Sequence, residues 1–352
     1  MGTTEQLVSD ASMWRVAVAG RAPANHRLLA VLAEIAPELG ERLEAAWRER
    51  AFGAFYERPL LLIAVLRSEA LAAGPAHPLW RGLAADEPDL DSITTGALRE
   101  ALAPASVWTA LRDRYVQTNE TTRAIAWLWP AQLLGCDRGA RPLALAEVGC
   151  AAGLNLVADA LPRPWTGAAG APLPGVDAPA VIARVGLDRR PLDVLDADAV
   201  TWMRACIWAG ERERIERFDA AVAAFRAQPA RLEVCDAAEA PARLALLSDA
   251  LPAPGITLAF QTIVRDYFDA ATAAAYAAGM RAWLAAAPGR TLWVDLELAP
   301  DSSDRTHLAA ITAHAADRSG RVHDLELGRT SYHPTDVVVN AAAAARLRAL
   351  VD

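Results

Sequence analysis

The sequence contains no lysine, so all 35 of its basic side chains are arginine. A Walker-type phosphate-binding loop needs a lysine to reach the nucleotide phosphates, and pyridoxal phosphate needs one to form its Schiff base. The absence of lysine therefore excludes both kinds of site. The chain is also rich in alanine, and the base composition of the genome is the simplest cause of both features.

Cysteine is scarce too, with four residues in a chain of 352. None of them stands in a C-x-x-C pair, so the sequence indicates neither a zinc site nor a disulfide framework. We expect free thiols in a reducing compartment. The four are Cys136, Cys150, Cys206 and Cys235.

Positive charge is in deficit, and the formal net charge is −8 at pH 7. Clustered cations that displace counterions drive binding to a phosphate backbone, so nucleic acid is not expected as a partner. No run reaches the ~18 uninterrupted apolar residues that span a bilayer, and acidic Glu5 and Asp10 argue against a signal peptide. These features predict a cytoplasmic protein with no membrane partner, and they leave a homodimer open.

Two regions of different periodicity follow one another along the chain. Residues 1–138 have apolar residues at helical spacing of three and four, cut by prolines into short helices, with no strand pattern. In residues 139–352 short apolar runs alternate with longer amphipathic stretches, which is typical of a parallel α/β sheet. We predict an N-terminal helical cap that contributes to the substrate site, 1–138, and a Rossmann-like α/β domain with a seven-stranded sheet, 139–352.

The elements of the second domain follow from these patterns. The predicted strands are Leu143–Val148, Ala180–Leu187, Leu232–Cys235, Ile256–Phe260, Thr291–Leu298, Arg321–Leu327 and Asp336–Val339. The predicted helices are Leu154–Leu161, Ala197–Trp208 continuing to Arg226, Ala237–Leu247, Phe268–Ala287 and Thr306–Ala316. The last two strands are joined too tightly for a helical crossover, so we expect them to be antiparallel. Pro162–Pro179, rich in proline and glycine, predicts an irregular surface insertion.

The first predicted βα turn has the spacing of a nucleotide-binding loop. Glu147, Gly149, Ala151 and Gly153 stand at alternate positions between an apolar strand and a helix. Glycine allows a sharp bend and lets backbone groups approach a ligand beyond the carboxyl end of the strand. This E-x-G-x-A-x-G form, with Asn155 one turn into the helix, predicts a binding site for S-adenosylmethionine (SAM).

SAM is favoured over NAD because the dinucleotide pattern G-x-G-x-x-G would need its third glycine at Leu154. SAM has no pyrophosphate, and its amino group and sulfonium attract the Glu147 carboxylate. Cys150 is predicted to contact the cofactor through its place in the loop. The alternative interpretation is a tight turn that binds nothing, since glycine also serves plain geometry.

Two further acids follow the second and third predicted strands. We predict that Asp188 accepts hydrogen bonds from the ribose hydroxyls, and that Asp236 with Ala237 binds the adenine. Either aspartate also suits the N-cap of the helix that follows, so capping remains open for both.

These residues, together with three further runs, resemble an uncharacterised bacterial domain-of-unknown-function family related to class I SAM-dependent methyltransferases. The resemblance covers the chain from about Pro59 to the loop at His333, and it implies a fold and a cofactor but no reaction. The chain departs from the family at Trp208-Ala209-Gly210, where proline is expected after tryptophan, and at Tyr332-His333-Pro334. The three runs are Val116-Gln117-Thr118-Asn119-Glu120, Gly186-Leu187-Asp188-Arg189-Arg190-Pro191-Leu192-Asp193 and Trp202-Met203-Arg204-Ala205-Cys206-Ile207-Trp208.

Methyl transfer is an in-line displacement, so the enzyme mainly positions the nucleophile and removes its proton. The polar run before the first strand is placed to reach over the cofactor, and Gln261 follows the fourth strand. We predict Glu120 and Gln261 as catalytic residues, and Gln117 and Asn119 as substrate contacts. Helix capping by Thr118 or Asn119 is the alternative role of this polar run.

Substrate contacts are also predicted for Trp202, Arg204, Tyr332 and His333. An aromatic ring can box a planar or cationic substrate, and an arginine can bind a carboxylate. Core packing is the alternative for Trp202.

Three other residues stay outside the predicted site. His307 and His314 stand seven apart on a predicted helix with no third ligand, so we interpret them as a solvated helical face and predict no metal. Glu297, at the end of the fifth predicted strand, is either a general base or a cap.

The leading hypothesis from the sequence is a SAM-dependent methyltransferase that acts on a small molecule. Its rivals are an NAD-dependent oxidoreductase and a binding protein that keeps the fold without turnover. Within the enzyme class, aminocarboxypropyl transfer or ring closure is the alternative to methyl transfer.

Overall fold

The computed structural model describes residues 2–136, 141–167, 173, 180–299 and 306–351. The chain divides into two compact units. The first comprises Met1–Thr118 and Asp193–Phe218, and the second comprises Asn119–Leu192 and Asp219–Asp352.

The described part of the first unit is helical, as the periodicity predicts. The helix Ala197–Cys206 is separated from the next helix, Arg212–Ala227, by a turn. Gly210, at φ +84°, lies in that turn. The prediction of one continuous helix to Arg226 is therefore wrong, since a helix interior does not admit that backbone conformation. The α-helices are α1 Thr3–Val18, α2 Pro23–Ile35, α3 Gly40–Trp47, α4 Glu57–Ala73, α5 Trp80–Leu83, α6 Thr95–Ala101, α7 Ala105–Asp113, α9 Ala197–Cys206 and α10 Arg212–Ala227, which continues into the second unit.

Helix α4 is the core helix of the first unit. With the turn that follows, it forms Glu57–Ala76, the one described segment long and apolar enough to cross a membrane, and half of its most apolar window is buried. Arg67 on α4 is 2% exposed and donates hydrogen bonds to the carbonyls of Leu83, Arg204 and Ile207. This packing is typical of a core helix in a soluble protein, and the cytoplasmic location stays a prediction.

The second unit is built on a sheet to which nine described strands belong, in the order β2-β9-β8-β7-β6-β5-β1-β3-β4. The sheet has a parallel part, in which the neighbouring strands are β4, β3, β1, β5 and β6 in that order. It continues from β6 through β7, β8 and β9 by antiparallel pairing. Strand β2 pairs parallel to β9 at the edge. The strands are β1 Leu143–Val148, β2 Thr166–Gly167, β3 Val181–Asp188, β4 Arg231–Val234, β5 Ile256–Thr262, β6 Thr291–Leu298, β7 Ala309–Ala316, β8 Val322–Thr330 and β9 Asp336–Val339.

Helices cover both faces of this sheet, which is why its central strands carry apolar residues without alternation. On one face α8 Ile125–Leu133 and α13 Ala341–Val351 pack on β5 to β8, with Trp127 against Phe260. On the other face lie α11 Ala240–Ala250 and α12 Ala270–Ala286. The buried strand β1 is sandwiched between these layers, and its carboxyl end is where the predicted loop begins.

The α/β class is confirmed, and the five predicted parallel strands are found with ends shifted by no more than two residues. The antiparallel pairing of the last two strands is also confirmed. Of the predicted insertion Pro162–Pro179, residues 166–167 form β2, and residues 168–172 and 174–179 lie outside the described residues. The predicted helix Leu154–Leu161 is a 3-10 helix, Leu154–Ala160.

The helix predicted over Thr306–Ala316 is wrong. Ala309–Ala316 forms β7, an interior strand paired with both β6 and β8. Its alanines favour a helix by local propensity, and a strand buried on both faces lacks the alternation that identifies strands in a sequence. The predicted count of seven strands is wrong for the same reason, because neither β7 nor the short β2 was anticipated.

Candidate functional site

The loop after β1 is a tight turn at the carboxyl edge of the parallel strands. Gly149 and Gly153 have φ of +74° and +69°, a region that residues with a Cβ rarely adopt. Ala151 between them also has a positive φ, +50°. Because the last residue of β1 pairs with both β3 and β5, the loop lies at the centre of this edge.

Every backbone N–H from Gly149 to Leu154 is bonded within the protein. The bonds are, in chain order, Gly149 and Cys150 to the Leu187 carbonyl (2.8 and 3.4 Å), Ala151 to Asp188 Oδ2 (2.9 Å), Ala152 to Asn119 Oδ1 (3.2 Å), Gly153 to the Cys150 carbonyl (2.7 Å) and Leu154 to Asn119 Oδ1 (3.0 Å). The loop therefore has no backbone donor to offer an anion such as a pyrophosphate. Asn119, predicted as a substrate contact, holds the loop through these two bonds, and the 3-10 helix that follows it in the chain, Thr121–Ala124, is capped by Glu120.

Unsatisfied acceptors, in contrast, are present at this loop. Asn155 Nδ2 donates to Glu147 Oε1 at 2.9 Å, and both side chains are 1% exposed. Glu147 Oε2 and Asn155 Oδ1 are buried and have no hydrogen-bond partner among the described residues. Buried polar atoms without a partner are uncommon and call for an explanation, which a ligand that donates hydrogen bonds would provide.

Glu147 is also uncharged at neutral pH in this environment. Burial raises the pKa of Glu147 to about 8, the hydrogen bond from Asn155 opposes that rise, and the negative charge of Asp188 adds to it. A cation brought next to this carboxyl would favour its ionised form.

The loop after β5 is strained next to the loop after β1. Ile263 has φ +52°, and Ala151 and Ile263 are the non-glycine residues with positive φ in the described chain. For a β-branched residue this conformation costs about 1–3 kcal/mol, and such residues concentrate at functional sites. The Glu297 carboxylate stabilises the turn by accepting from the N–H groups of Val264 (3.0 Å) and Arg265 (3.4 Å). Glu297 thus holds the turn after β5, and the helix that it was predicted to cap is the strand β7 in this structure.

Replacing Gly149 with alanine tests how closely these two loops pack. A Cβ at position 149 would lie 2.5 Å from Val264 Cγ2, whereas one at Gly135, which has the same φ of +74°, meets nothing within 4 Å. We expect Gly149→Ala to lower the free energy of unfolding by about 3 kcal/mol and Gly135→Ala by about 1 kcal/mol. Chemical denaturation measures both, and Val264→Ala should rescue part of the Gly149→Ala loss. Equal losses in the two single variants would refute the close packing.

The two aspartates after the neighbouring strands accept from backbone N–H groups, Asp188 in turns and Asp236 as the cap of a 3-10 helix. Asp188 Oδ1 accepts from the Arg190 N–H at 2.8 Å, while its other oxygen holds the loop amide described above. Asp236 Oδ1 accepts from the Ala238 N–H at 3.0 Å, and Ala237 begins a 3-10 helix, Ala237–Glu239. Each carboxylate oxygen has a second lone pair, so capping leaves both groups able to accept from a ligand.

Gln261 lies inside the sheet and is 0% exposed. Its Nε2 donates to Glu297 Oε1 at 2.8 Å, and its Oε1 accepts from the Tyr276 hydroxyl at 2.5 Å and the Trp293 indole at 3.3 Å. An amide enclosed in this network has no access to a reacting group. The geometry therefore does not support the predicted catalytic role, and it indicates that Gln261 orients Glu297.

Glu120 and His333, predicted separately, are brought together. Glu120 Oε2 lies 3.2 Å from His333 Nδ1, and its Oε1 accepts from the Thr122 hydroxyl at 2.9 Å. The Glu120 side chain is 3% exposed and that of His333 is 35% exposed. The Tyr332 carbonyl accepts from Arg123 Nε at 3.0 Å, so two contacts fix this loop against the 3-10 helix Thr121–Ala124.

His314 is a buried cation, which corrects its prediction as part of a solvated helical face. Its Nε2 and Nδ1 lie 2.9 Å from Asp295 Oδ2 and 2.7 Å from Asp324 Oδ1, and only an imidazolium donates from both nitrogens. Burial lowers the pKa of His314, but the two aspartates outweigh burial and the net shift is upward. Arg265 pairs with Asp295 and Arg281 with Asp324, so the charges form a continuous network.

His307 lies apart from that network, and its Nε2 is 2.7 Å from Asp336 Oδ2. Within the described ranges no three His, Cys, Asp or Glu side chains are grouped as a metal site requires, and the absence of a metal stays a prediction. The four cysteines are buried and none forms a disulfide.

Gln117, Trp202 and Arg204 belong to the first unit, whereas the loop after β1 belongs to the second. Trp202 is 2% exposed and its indole donates to the Tyr115 carbonyl at 3.0 Å, as expected for the core-packing alternative. It also lines a cleft of about 420 Å³ in the first unit together with Glu69, Asp113 and Arg114. The roles of Gln117, Trp202 and Arg204 as substrate contacts stay predictions.

Arg123 was not among the residues that the sequence predicts for the site. It is 9% exposed, and its charge lowers the pKa of both Glu147 and Tyr332 against the upward effect of burial. A signal was present, because an arginine immediately before the apolar run Ala124–Trp129 has to be paired if it is buried.

The chain belongs to a protein family described as "Uncharacterized protein conserved in bacteria (DUF2332)", whose model matches residues 12–338. The predicted membership of a bacterial domain-of-unknown-function family is thereby confirmed. The comparison with curated proteins finds no match for the chain. The relation to methyltransferases stays a prediction.

Proposed function

We propose that this protein is a SAM-dependent methyltransferase acting on a small molecule, with SAM bound at the loop after β1. The observation that carries the proposal is the pair of buried acceptors without partners, Glu147 Oε2 and Asn155 Oδ1. They lie at a loop whose backbone donors are all engaged. A ligand with positive charge would ionise Glu147, so that both oxygens accept from its donors, and the ammonium group of SAM brings the charge and the donors together.

The order of the parallel strands supports the same assignment. Numbered along the chain, the parallel strands are arranged 3-2-1-4-5, an order found in doubly wound nucleotide-binding sheets. In such sheets the ligand lies beyond the carboxyl ends of the strands, where the order reverses around the first strand. We therefore propose a Rossmann-like core extended by the antiparallel strands β7 to β9.

The residues at this edge fit the parts of the cofactor. Glu147 and Asn155 would hold the ammonium group, and Asp188 has lone pairs left for ribose hydroxyls. Asp236 with Ala237, at the end of the next strand, would contact the adenine. When bound, SAM supplies an electrophilic methyl group, and the protein has to orient the acceptor and take up its proton.

NAD fits this loop less well. A pyrophosphate is bound by backbone N–H groups at a helix N-terminus, and here those groups are already bonded to protein acceptors. An ionised Glu147 would also repel a diphosphate. Transfer of another part of SAM, or cyclisation, uses the same cofactor site and is distinguished from methyl transfer by mass spectrometry of the product.

Calorimetric titration with S-adenosylhomocysteine (SAH), which keeps the ammonium group, tests the proposal. We expect wild-type protein to bind SAH and Glu147→Gln to bind it about 100-fold more weakly, because the variant cannot carry the charge that faces the ammonium. Glu239→Gln, an exposed acid on the same edge of the sheet, is the matched control and should bind like wild type.

Failure of wild-type protein to bind SAH at millimolar concentration would remove the proposal. Binding of NADH in the same assay would favour the oxidoreductase instead. A bound cofactor with no methylated product from a broad panel of small molecules would favour a binding protein. The expected partners remain a small-molecule substrate without nucleic acid or membrane.

A further inference from the structure

We propose that Glu120 and His333 form a proton-accepting pair, in which Glu120 positions the ring of His333 and His333 deprotonates the methyl acceptor. This inference rests on the proposed function and adds the class of acceptor. The acceptor is a hydroxyl or an ammonium group, which must lose a proton, rather than a carboxylate or thiolate, which need not.

The carboxylate of the pair is held from several sides. Glu120 caps the 3-10 helix Thr121–Ala124, where its Oε1 accepts from the N–H of Thr122 at 3.3 Å and from its hydroxyl at 2.9 Å. The second oxygen lies 3.2 Å from His333 Nδ1. Since the carboxylate is buried and cannot rotate without losing these bonds, it fixes the orientation of the imidazole.

The imidazole is the accessible member of the pair. His333 is about one-third exposed, in a short loop where the Ser331 hydroxyl donates to the His333 carbonyl at 2.7 Å. Arg123 Nε donates to the carbonyl of Tyr332, the residue before His333. An exposed imidazole backed by a buried carboxylate is the arrangement that general-base histidines share.

The pair lies at the proposed cofactor site. Asn119, the residue before Glu120, accepts from the loop amides of Ala152 and Leu154, so the backbone that carries Glu120 is bonded to the loop itself. Arg123, three residues further, is close enough to Glu147 for its charge to act on that carboxyl.

The proposed step balances in atoms and charge. An ammonium acceptor loses its proton before the attack, and a hydroxyl loses it during the attack. A lone pair of the acceptor oxygen or nitrogen forms the bond to the methyl carbon, and the carbon–sulfur bond breaks with its electrons on sulfur. The proton leaving the acceptor goes to His333 Nε2. The imidazolium is stabilised by the Glu120 carboxylate and releases the proton to solvent.

Imidazole NMR of the ¹⁵N-labelled full-length protein, without any cofactor, tests the pair. The chain has six histidines, and comparison with the spectrum of His333→Gln identifies the resonances of His333. In wild type the neutral His333 should carry its proton on Nδ1, the tautomer that Glu120 selects. In Glu120→Gln we expect this tautomer preference to be lost and the titration midpoint of His333 to fall by about one pH unit.

Glu326→Gln is the matched control, because Glu326 pairs with Arg329 on β8 and does not contact His333. It should leave the His333 tautomer and midpoint unchanged. An Nε2-protonated His333 in wild type, or an unchanged midpoint in Glu120→Gln, would overturn the pair.

Adding SAH separates this inference from the proposed function. SAH that binds by calorimetry and shifts the His333 resonances supports the pair as part of the site. SAH that binds but leaves His333 unchanged overturns the base role, whereas absence of SAH binding overturns the proposed function itself.

Discussion

The free energy of unfolding is expected to fall by on the order of 3 kcal/mol between pH 5 and pH 9 through Glu147 alone. Burial raises the pKa of Glu147 from 4.5 to about 8 in the folded protein. A carboxyl whose folded pKa is raised contributes stability that is fully present below its unfolded pKa. That contribution is lost as the pH rises through the folded pKa, so the loss falls between about pH 4.5 and pH 8.

Glu147→Gln isolates this contribution, because glutamine keeps the size of the side chain and has no proton to lose. Urea denaturation at several pH values should give a flatter profile for Glu147→Gln than for wild type. In Glu147→Gln the free energy of unfolding should still decline somewhat as the pH rises. Burial also raises the pKa of Glu297 to about 7, and the net pKa shift of His314 is upward. Glu239→Gln should follow wild type, and a Glu147→Gln profile parallel to wild type would show that Glu147 is ionised in the folded protein.

Replacing His314 with leucine is expected to lower the free energy of unfolding by about 3 kcal/mol. Among the described residues, the His314 imidazolium bridges Asp295 and Asp324, and Asp295 is 3% exposed. Leucine would leave the Asp295 carboxylate buried with Arg265 as its counter-charge. Removing one partner from a buried charge network lowers the free energy of unfolding far more than removing one partner of a surface pair.

His323→Leu is the matched control for that experiment. His323 lies on the neighbouring strand β8 and its Nε2 is 2.7 Å from Asp317 Oδ2, but this pair is partly exposed. We expect a loss below about 1 kcal/mol, as for other surface pairs. Similar losses in the two variants, measured by chemical denaturation at pH 7, would mean that the buried network adds nothing.

Local patterns were sufficient for the loop after β1 and for the parallel strands. Alternate small residues between an apolar run and a helix dictate a tight turn, and the structure has positive φ at Gly149, Ala151 and Gly153. The acids after β3 and β4 were placed correctly at neighbouring strand ends, because strand ends are marked by the transition from apolar to polar residues.

Local patterns failed where burial on both faces hides the strand period. Strand β7 is made largely of alanine, and its one ionisable residue, His314, was assigned to solvent because a helix was assumed. Its partners stand on the neighbouring strands, so only the pairing of β6, β7 and β8 reveals the network.

Contacts between side chains that are far apart in the sequence could not be predicted for a different reason. Glu120 and His333 are 213 positions apart, and Asn119 reaches amides 33 and 35 positions away. The polar residues at these positions were singled out from the sequence, and their functional roles stay predictions. Which of them meet is decided by the return of the chain after β8 to the edge where β1 ends, and no local spacing encodes that.

The proton balance of SAH binding tests the central claim most directly. Calorimetric titrations at pH 7 in buffers of different ionisation enthalpy count the protons exchanged on binding. Because Glu147 is protonated without a ligand and ionised opposite an ammonium group, wild type should release about one proton and Glu147→Gln should release none. Binding without proton release in wild type, or with the same release in Glu147→Gln, would contradict the assignment of this carboxyl as the cofactor's partner.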